Sequence, residues 1–349
     1  MDYAGTVKVR IKEVAIAAGV STATVSKVLS GRADYQVHAE TAERVRRVAY
    51  ELGYVPDVAA RNLRTRQTGQ LGVVLEAVGP SEPDSLLTGV AVSDAVRRTF
   101  DGAIMAGLSE AARELEVPAL VVYPSGQLDA RTLLDGRVDG LLVSCDPLRG
   151  HGLLHGLRSP PVPVVALWTQ RAPEGIGMVD VNHAQGAGIA VHHLVELGHT
   201  RIAFYGGGVR SGVEHFARRE QGYRSALEEA GLLPQSAIHD GPRLLQAVQG
   251  GVTAVFAETD LGAAAAFHAL DSAGLSVPAD VSLVGFDDIQ GAEYIAGGLT
   301  TVYQPAAEMA AAGVRALLAR LDGEAPQTAL LRPRLIRRRS TAPVRVVSG

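Results

Sequence analysis

A single cysteine, Cys145, and a single tryptophan, Trp168, stand among 349 residues, of which 5% are aromatic. One cysteine builds neither an intrachain disulfide framework nor a cysteine-based zinc site, a usage that suits a reducing compartment. No apolar run reaches the length that crosses a bilayer, and the opening MDYAGTVK is polar where a secretory signal needs an apolar core. The chain is therefore expected in the cytoplasm, with no membrane partner and a short disordered lead. Also missing are GxSxG, HExxH and the phosphate-cradling GxxxxGK[S/T], the signatures of common hydrolases and nucleotidases. YGGGVRSG, residues 205–212, follows an apolar run as a dinucleotide loop does, but Ser211 stands at the third glycine position and the spacing fits poorly. His192 and His193 are adjacent, so on a helix they diverge by about 100° and decorate a surface rather than grip a metal. The sequence predicts no enzyme: no catalytic residue, no metal and no cofactor.

Charge is present but uneven. Lys and Arg number 33 against 37 Asp and Glu, yet residues 1–66 hold eleven against seven, which leaves 22 against 30 for the rest. A basic end on an acidic body is expected where that end meets phosphate and the remainder keeps the chain in solution. Within the basic end, IKEVAIAAG sets Ile11, Val14, Ala15 and Ala18 on one helical stripe that stops at Gly19. In GVSTATVSKVLSG, residues 19–31, the inward positions are Val20, Val25, Val28 and Leu29. Ser21 offers a capping hydroxyl and Gly31 a stop. Thr22, Ala23, Ser26 and Lys27 are left outside. A third helix, in ETAERVRRVAYELGY, turns Val45, Val48, Ala49 and Leu52 inward, with Arg44, Arg46 and Arg47 around the rest. Two short helices joined by a glycine turn, closed by a third, match a helix-turn-helix whose second helix has side chains small enough to let its backbone approach base edges. A three-helix bundle that binds another protein has the same pattern.

YVPDVAARNLRTRQTG follows. Pro56 and Asp57 signal a helix start, but VAARNLR is too short to be helical alone in water, where roughly 12–15 residues are marginal. Arg61, Arg64 and Arg66 suit phosphates or a minor groove, and Leu63 among them suits a wedge between base steps; a plain linker with a stray leucine reads the same way. From Leu71 onward the aliphatic runs LGVVL, ALVVY, GLLVS, PVVAL, RIAFY, TAVFA and VSLVGF alternate with helical patterns such as residues 190–197 and 263–273. That alternation predicts an α/β body whose parallel sheet is covered on both faces, with ligands beyond the carboxyl ends of its strands.

IKEVAIAAGVSTATVSKVLSG, then ETAERV, ELGYVP and AARNLR, resembles the headpiece of the LacI/GalR family of bacterial transcription regulators. The similarity continues in order and spacing through VDGLLVS, PVVAL, HLVELGHTRIAFYGG, RREQGYRSALEEAGL, TAVFAETD, ALDSAGLSVPADVSLVGFDD, LTTVYQP and RRRST. The resemblance implies a small all-α helix-turn-helix headpiece over residues 1–55, a hinge helix and linker over 56–69, and a body over 70–349. That body is α/β, two Rossmann-like subdomains of the periplasmic-binding-protein type I, residues 70–180 with 304–326 and residues 181–303 with 327–349. The crossovers are expected near Asp180 to Asn182, Tyr303 to Gln304 and Ala325 to Gln327. Also implied are DNA contacts from Ser21, Thr22, Ala23, Thr24, Ser26 and Lys27 and from Arg61, Leu63 and Arg64 of the hinge. The partners implied are a pseudo-palindromic double-stranded operator, a second copy of the chain and a small effector. A secreted solute-binding protein of the same body fold would carry a signal peptide in place of the headpiece.

Strand ends supply the effector candidates. Asp287 follows SLVGF, and Arg219 opens an RxxG segment that begins a helix; both match positions from which the family contacts its effector, while a helix cap and a surface arginine are the plainer alternatives. Trp168 ends PVVALW, where an indole stacks on a sugar or base or fills core. Thr259 stands where many members carry Asn, and Asp260 after it is expected to cap a helix. Two departures edit the first subdomain: a longer segment over 76–99 and a shorter one over 125–138.

Overall fold

The stripe of Val14, Ala15 and Ala18 folds as α1 (Ile11–Ala18), with Ile11 at its partly buried end. The Glu13 carboxylate closes the first turn by accepting the Arg10 backbone N–H at 2.8 Å. At the other end Gly19 adopts φ 64°, which costs a residue without Cβ nothing. There the Gly19 and Val20 N–H groups donate back to the Ile16 and Ala15 carbonyls at 3.2 and 3.0 Å. Two residues later Ser21 Oγ accepts the Thr24 N–H at 3.1 Å and starts α2 (Thr22–Leu29). Val25 and Val28 of α2 meet Val45 and Ala49 of α3 (Ala39–Glu51) in a core that Val20, Leu29 and Val48 surround. Leu52 departs from its expected inward place: α3 ends at Glu51, the chain reverses at Gly53, and Leu52 is 39% exposed while Tyr54 packs on the core.

The computed structural model describes residues 9–29, 37–55, 67–75, 90–123, 130–144, 152–157, 160–206 and 214–344. It divides into two units, residues 1–68 and residues 69–349. In the second unit the elements run β1 (Gln70–Leu75), α4 (Val90–Glu114), β2 (Ala119–Tyr123), α5 (Ala130–Leu133), β3 (Gly140–Ser144), α6 (Gly152–Gly156), β4 (Val164–Leu167), β5 (Gly177–Val181) and α7 (His183–Glu196). Next come β6 (Ile202–Tyr205), α8 (Glu214–Glu229), α9 (Gly241–Gln249), β7 (Ala254–Ala257), α10 (Asp260–Ser272), β8 (Ser282–Asp287) and a 3-10 turn (Ala292–Gly297). The chain continues through β9 (Thr300–Tyr303), α11 (Ala306–Leu321), β10 (Thr328–Leu331) and β11 (Arg334–Ile336). The longer segment at 76–99 thus supplies, from residue 90, the first turns of α4; its residues 76–89 lie outside the described part, as do Cys145, Gly31 and the lead.

Two sheets result. The first is all parallel in the order β10-β5-β4-β3-β1-β2; the second runs β11-β9-β8-β7-β6, with only β11 antiparallel to its neighbour. Ile238 makes one further parallel bridge to Tyr205 on the free edge of β6. Both sheets therefore place their first strand between two neighbours, β2 and β3 for β1, Ile238 and β7 for β6. Helices leave to opposite faces at such a point, and a crevice opens beyond the carboxyl ends. All seven aliphatic runs are strands, and β3, β4, β6, β7 and β8 are buried at every residue, as continuous apolar runs in a covered parallel sheet should be. The chain leaves the first sheet after Val181, returns after Tyr303 and leaves again at residues 332–333. The third passage lies beyond the expected Ala325 to Gln327 because Thr328–Leu331 pairs with Met178–Val181 and lengthens the first sheet.

Helix packing repeats between the two halves. A Cβ on Gly107 of α4 would collide with the Ala307 backbone at the start of α11, and one on Gly222 of α8 with the Ala184 backbone at the start of α7. Each helix that carries the chain from one sheet to the other is thus seated by its first turn on a glycine of the subdomain it enters. The histidine pair divides: His192 is exposed beside Glu229, but His193, expected on the surface, is 7% exposed and bonded to Thr341 Oγ1 at 3.0 Å. Gly188 in α7 faces open space. Gly188→Ala is therefore expected to raise stability by roughly 0.5–1 kcal/mol through helix propensity, and Gly222→Ala to lower it by about 1–3 kcal/mol through overpacking. Denaturant midpoints of the two variants check the opposite signs; a stabilised Gly222→Ala removes the close seat.

Candidate functional site

On the first unit, α2 presents Ser21, Thr22, Ala23 and Lys27 to solvent, with Thr24 and Ser26 half-buried behind them. Ser21 Oγ is engaged locally, by the Thr24 N–H and by Thr24 Oγ1 at 2.9 Å. The face that remains is two small side chains and one cation, a shape that brings a helix backbone close to a flat polar surface. Arg46 and Arg47 are exposed on α3, Arg47 beside Glu51 at 3.9 Å. Arg61, Leu63 and Arg64 lie outside the described residues.

On the second unit three of the sequence candidates, Arg219, Thr259 and Asp287, converge at the carboxyl ends of β7 and β8. Helix α8 begins at Glu214, five residues ahead of the expected start, so Arg219 sits in its second turn and is 2% exposed. Its Nη1 lies 3.1 Å from Asp287 Oδ1 and also donates to the Glu258 carbonyl, and its guanidinium lies 3.8 Å from the centre of the Phe286 ring. Asp287, the last residue of β8, takes φ 124° and accepts Gln304 Nε2 at 2.6 Å. A non-glycine residue held there is strained by about 1–3 kcal/mol, and such strain concentrates at functional positions. Burial pushes the Asp287 carboxyl up to about 6 against the pull of Arg219 and Gln304. Asp260, fully buried, stands well above the usual carboxylate range because of burial first and the neighbouring Asp287 charge second. Its oxygens accept the Ile289 N–H at 2.9 Å and the Thr301 hydroxyl. Asp260 is not the cap of α10: Thr259, in extended backbone one residue earlier, accepts the Gly262 N–H at 2.9 Å and caps it.

Trp168 directly follows β4 on the other sheet. It takes φ 64°, donates its N–H to the Val179 carbonyl at 3.1 Å and packs half-buried against the first core. The next residues reach the second subdomain: Thr169 Oγ1 lies 3.4 Å from Glu214 Oε2, and Arg171 Nε 3.7 Å from Glu214 Oε1, which also holds Arg218 at 2.8 Å. Polar residues that pattern reading passes over complete the site. Gln170 Nε2 donates to Asp180 Oδ2 at 2.9 Å, Asp180 Oδ1 faces His183 Nε2 at 3.4 Å, and His183 Nδ1 faces Arg219 Nε at 3.4 Å. Burial raises Asp180, but the His183 ring beside it and the Gln170 bond outweigh that and hold it below the usual range; burial holds His183 down. The available signal was position: Asp180 and Gln304 are polar residues at or just beyond the ends of strands.

A polar thread therefore runs from Gln170 on one subdomain through Asp180, His183, Arg219 and Asp287 to Gln304, passing two of the interdomain connections. Fixed donors and acceptors of this kind orient hydroxyls, ring nitrogens or a carboxylate. The segments that follow β1, β2, β3 and β6 in sequence, 76–89, 124–129, 145–151 and 207–213, lie outside the described residues. A hollow of about 560 Å³ among Pro160, Pro161, Pro163, Glu174 and Arg320 lies at the amino ends of β4 and β5, away from these groups. Among the described residues no cluster of three His, Cys, Asp or Glu is placed to hold a metal, and no helix is long and apolar enough to cross a membrane.

Comparison with known proteins follows the same division. Residues 10–57 match the model of bacterial regulatory proteins, lacI family, and residues 191–341 that of a periplasmic binding protein-like domain. The ribose operon repressor of Haemophilus influenzae is 30% identical over 348 residues, 95% of this chain and 98% of the relative. The transcriptional regulator CelR of Thermobifida fusca is 34% identical over 335 residues, 90% and 92% of the two chains. Among solved structures, a lac repressor dimer bound to operator and an anti-inducer superposes with a TM-score of 0.70 at 26% identity, covering 96% of this chain and 99% of that one. A CelR–cellobiose complex superposes at 0.59 with 31% identity, covering 95% and 100%. With both parts matched in order and relatives 30% identical along nearly its whole length, the chain belongs to the LacI family of bacterial transcription regulators.

Proposed function

We propose that this LacI-family chain works in the cytoplasm as a repressor that reads a pseudo-palindromic operator as a homodimer, and that a small sugar-like or nucleoside-like effector at Arg219 and Asp287 controls it. Residues 1–55 serve as the DNA-reading headpiece, 56–69 as hinge and linker, and 70–349 as the effector-binding and dimerising body. The observation that carries the reading is the Arg219–Asp287 pair, sealed at a strand carboxyl end, in the same chain as a capped α2 with a small exposed face. Relatives support the effector class: a ribose operon repressor and a regulator solved with cellobiose are both similar to this chain. One headpiece offers too little surface for tight specific binding, whereas two related by a two-fold axis read two half-sites.

In this reading Thr22, Ala23 and Lys27 contact base edges, and Ser21, Thr24 and Ser26 position α2 on the backbone. Arg61 and Arg64 meet phosphates, and Leu63 enters a central minor-groove step. An effector that touches Arg219, Asp287 and Thr259 on one subdomain and Trp168 on the other favours one subdomain orientation, and only such differential binding shifts an equilibrium. That orientation sets the separation of the two hinge segments, which become helical only when they pair.

Three outcomes are expected. Replacing Thr22, Ala23 and Lys27 with the residues of a relative of known operator redirects the consensus that the chain selects from a random duplex library; an unchanged consensus refutes the assignment. Leu63→Ala weakens operator binding tenfold or more, on the order of 1.4 kcal/mol, yet leaves effector affinity of free protein intact, while Asp287→Ala keeps operator binding and loses the effector response. DNA titrations with and without effector, beside effector calorimetry, separate these. Asp287 also links stability to pH. Its folded pKa of about 6 exceeds that of an unfolded carboxyl, so the folded chain holds the extra proton between the two values and loses that contribution as pH rises through 6. The stability difference between Asp287→Asn and the parent should therefore shift in the variant's favour as pH rises from about 4.5 to 7.5, even though the variant leaves Arg219 without its carboxylate; a difference that is flat with pH would contradict this.

A further inference from the structure

The turn between α1 and α2 sets the angle at which α2 leaves the first unit, and its backbone groups are satisfied from three directions. Gly19 and Val20 N–H groups return to α1, and Ser21 Oγ takes the Thr24 N–H. The Ala18 carbonyl, last of α1, has no acceptor role inside the helix. Arg44 of α3 fills it: its Nε donates to Ala18 O at 3.0 Å across 26 residues of sequence. A cation at this point also faces the negative end of the α1 dipole.

We infer that Arg44 is a positioning residue for DNA reading, which acts through the Ala18 carbonyl to fix the turn ahead of α2 rather than by neutralising a phosphate. Three features carry this. The bond ends one residue before Gly19, whose φ of 64° reverses the chain toward α2. It originates on α3, whose Val45 and Ala49 share one core with Val25 and Val28 of α2, so all three helices are tied at a single corner. And it uses Nε, the guanidinium nitrogen nearest the stem, which binds where the chain is least free to move. The inference rests on the reading of α2 proposed above.

Chemistry provides a clean separation of the two roles. Glutamine carries an N–H donor the same number of bonds from Cα as arginine Nε, but no charge; methionine has similar length and neither donor nor charge. The full-length chain, the best duplex it selects from a random library and an unrelated duplex of equal length serve as protein and probes. If Arg44 positions α2, Arg44→Met loses about tenfold in affinity for the selected duplex, one hydrogen bond to a charged donor being at stake. Binding to the unrelated duplex stays, and Arg44→Gln recovers most of the loss. The slope of log affinity against log salt stays at the parent value in both variants. A phosphate-neutralising role gives the opposite pattern: Arg44→Gln is as weak as Arg44→Met, and the slope falls by about 0.9 for each phosphate no longer neutralised; that result overturns the inference. Parent-like binding by Arg44→Met overturns it too. So does equal loss on both duplexes in both variants, which would make Arg44 a prop of the fold alone. A parent chain that enriches no duplex sinks the reading of α2 itself and is distinguishable from all of these.

Discussion

Burying the Arg219 guanidinium costs several kcal/mol unless its donors are met, and much of the body is arranged so that they are. Asp287, the Glu258 carbonyl and the face of Phe286 surround it on the second sheet, and His183 meets it from the first turn of α7. Those four residues come from two strand ends and an interdomain connection, so the pair forms only when both the sheet and the passage after β5 are in place. One charge thus ties the register of β7 and β8 to the geometry of the link between subdomains.

The second carboxylate explains why the arrangement is not self-cancelling. Asp260 and Asp287 share one buried region with the Arg219 guanidinium, and two ionised acids there would repel. Burial and the neighbouring Asp287 charge hold Asp260 well above the usual carboxylate range, while its oxygens accept the Ile289 N–H and the Thr301 hydroxyl and Asp287 faces Arg219 and Gln304. Gly285 beneath belongs to the same device, since a Cβ there would strike Asp260. The strained φ of Asp287 is held by this packing rather than by its own preference.

The headpiece solves a smaller problem by different means. Few large side chains are available, so its core of Val and Ala is supplemented by termini in which exposed backbone groups find partners: Glu13 and Ser21 at the starts, Gly19 and Gly53 at the ends, Arg44 across the corner. The same economy keeps the outer face of α2 free of bulk.

The helical stripes of α1, α2 and α3 and seven of the strands were legible because each has a periodicity that burial alone explains: 3.6 on a helix packed on one side, continuous apolarity in a parallel strand covered on both. Arg219 and Asp287 were legible as a helix residue and a strand-end residue, and the resemblance pointed to both; that they pair was not. Other features were decided only in three dimensions. TALL is too short and too exposed to announce a strand, and it becomes β10 because β5 offers an unpaired edge. ETD does not say which residue caps α10, because Thr259 and Asp260 are both good caps and the backbone angle at Thr259 makes the choice. Leu52 fits the stripe of α3 by spacing and leaves it because the helix stops one residue earlier. The bonds of Arg44 to Ala18 and of Arg219 to His183 join residues far apart in sequence, for which no local pattern exists. Sequence by itself therefore determined which surfaces are apolar and where the chain turns, since those are properties of neighbouring residues; tertiary structure decided which polar groups meet, since a hydrogen bond needs a few tenths of an ångström that only the assembled fold supplies.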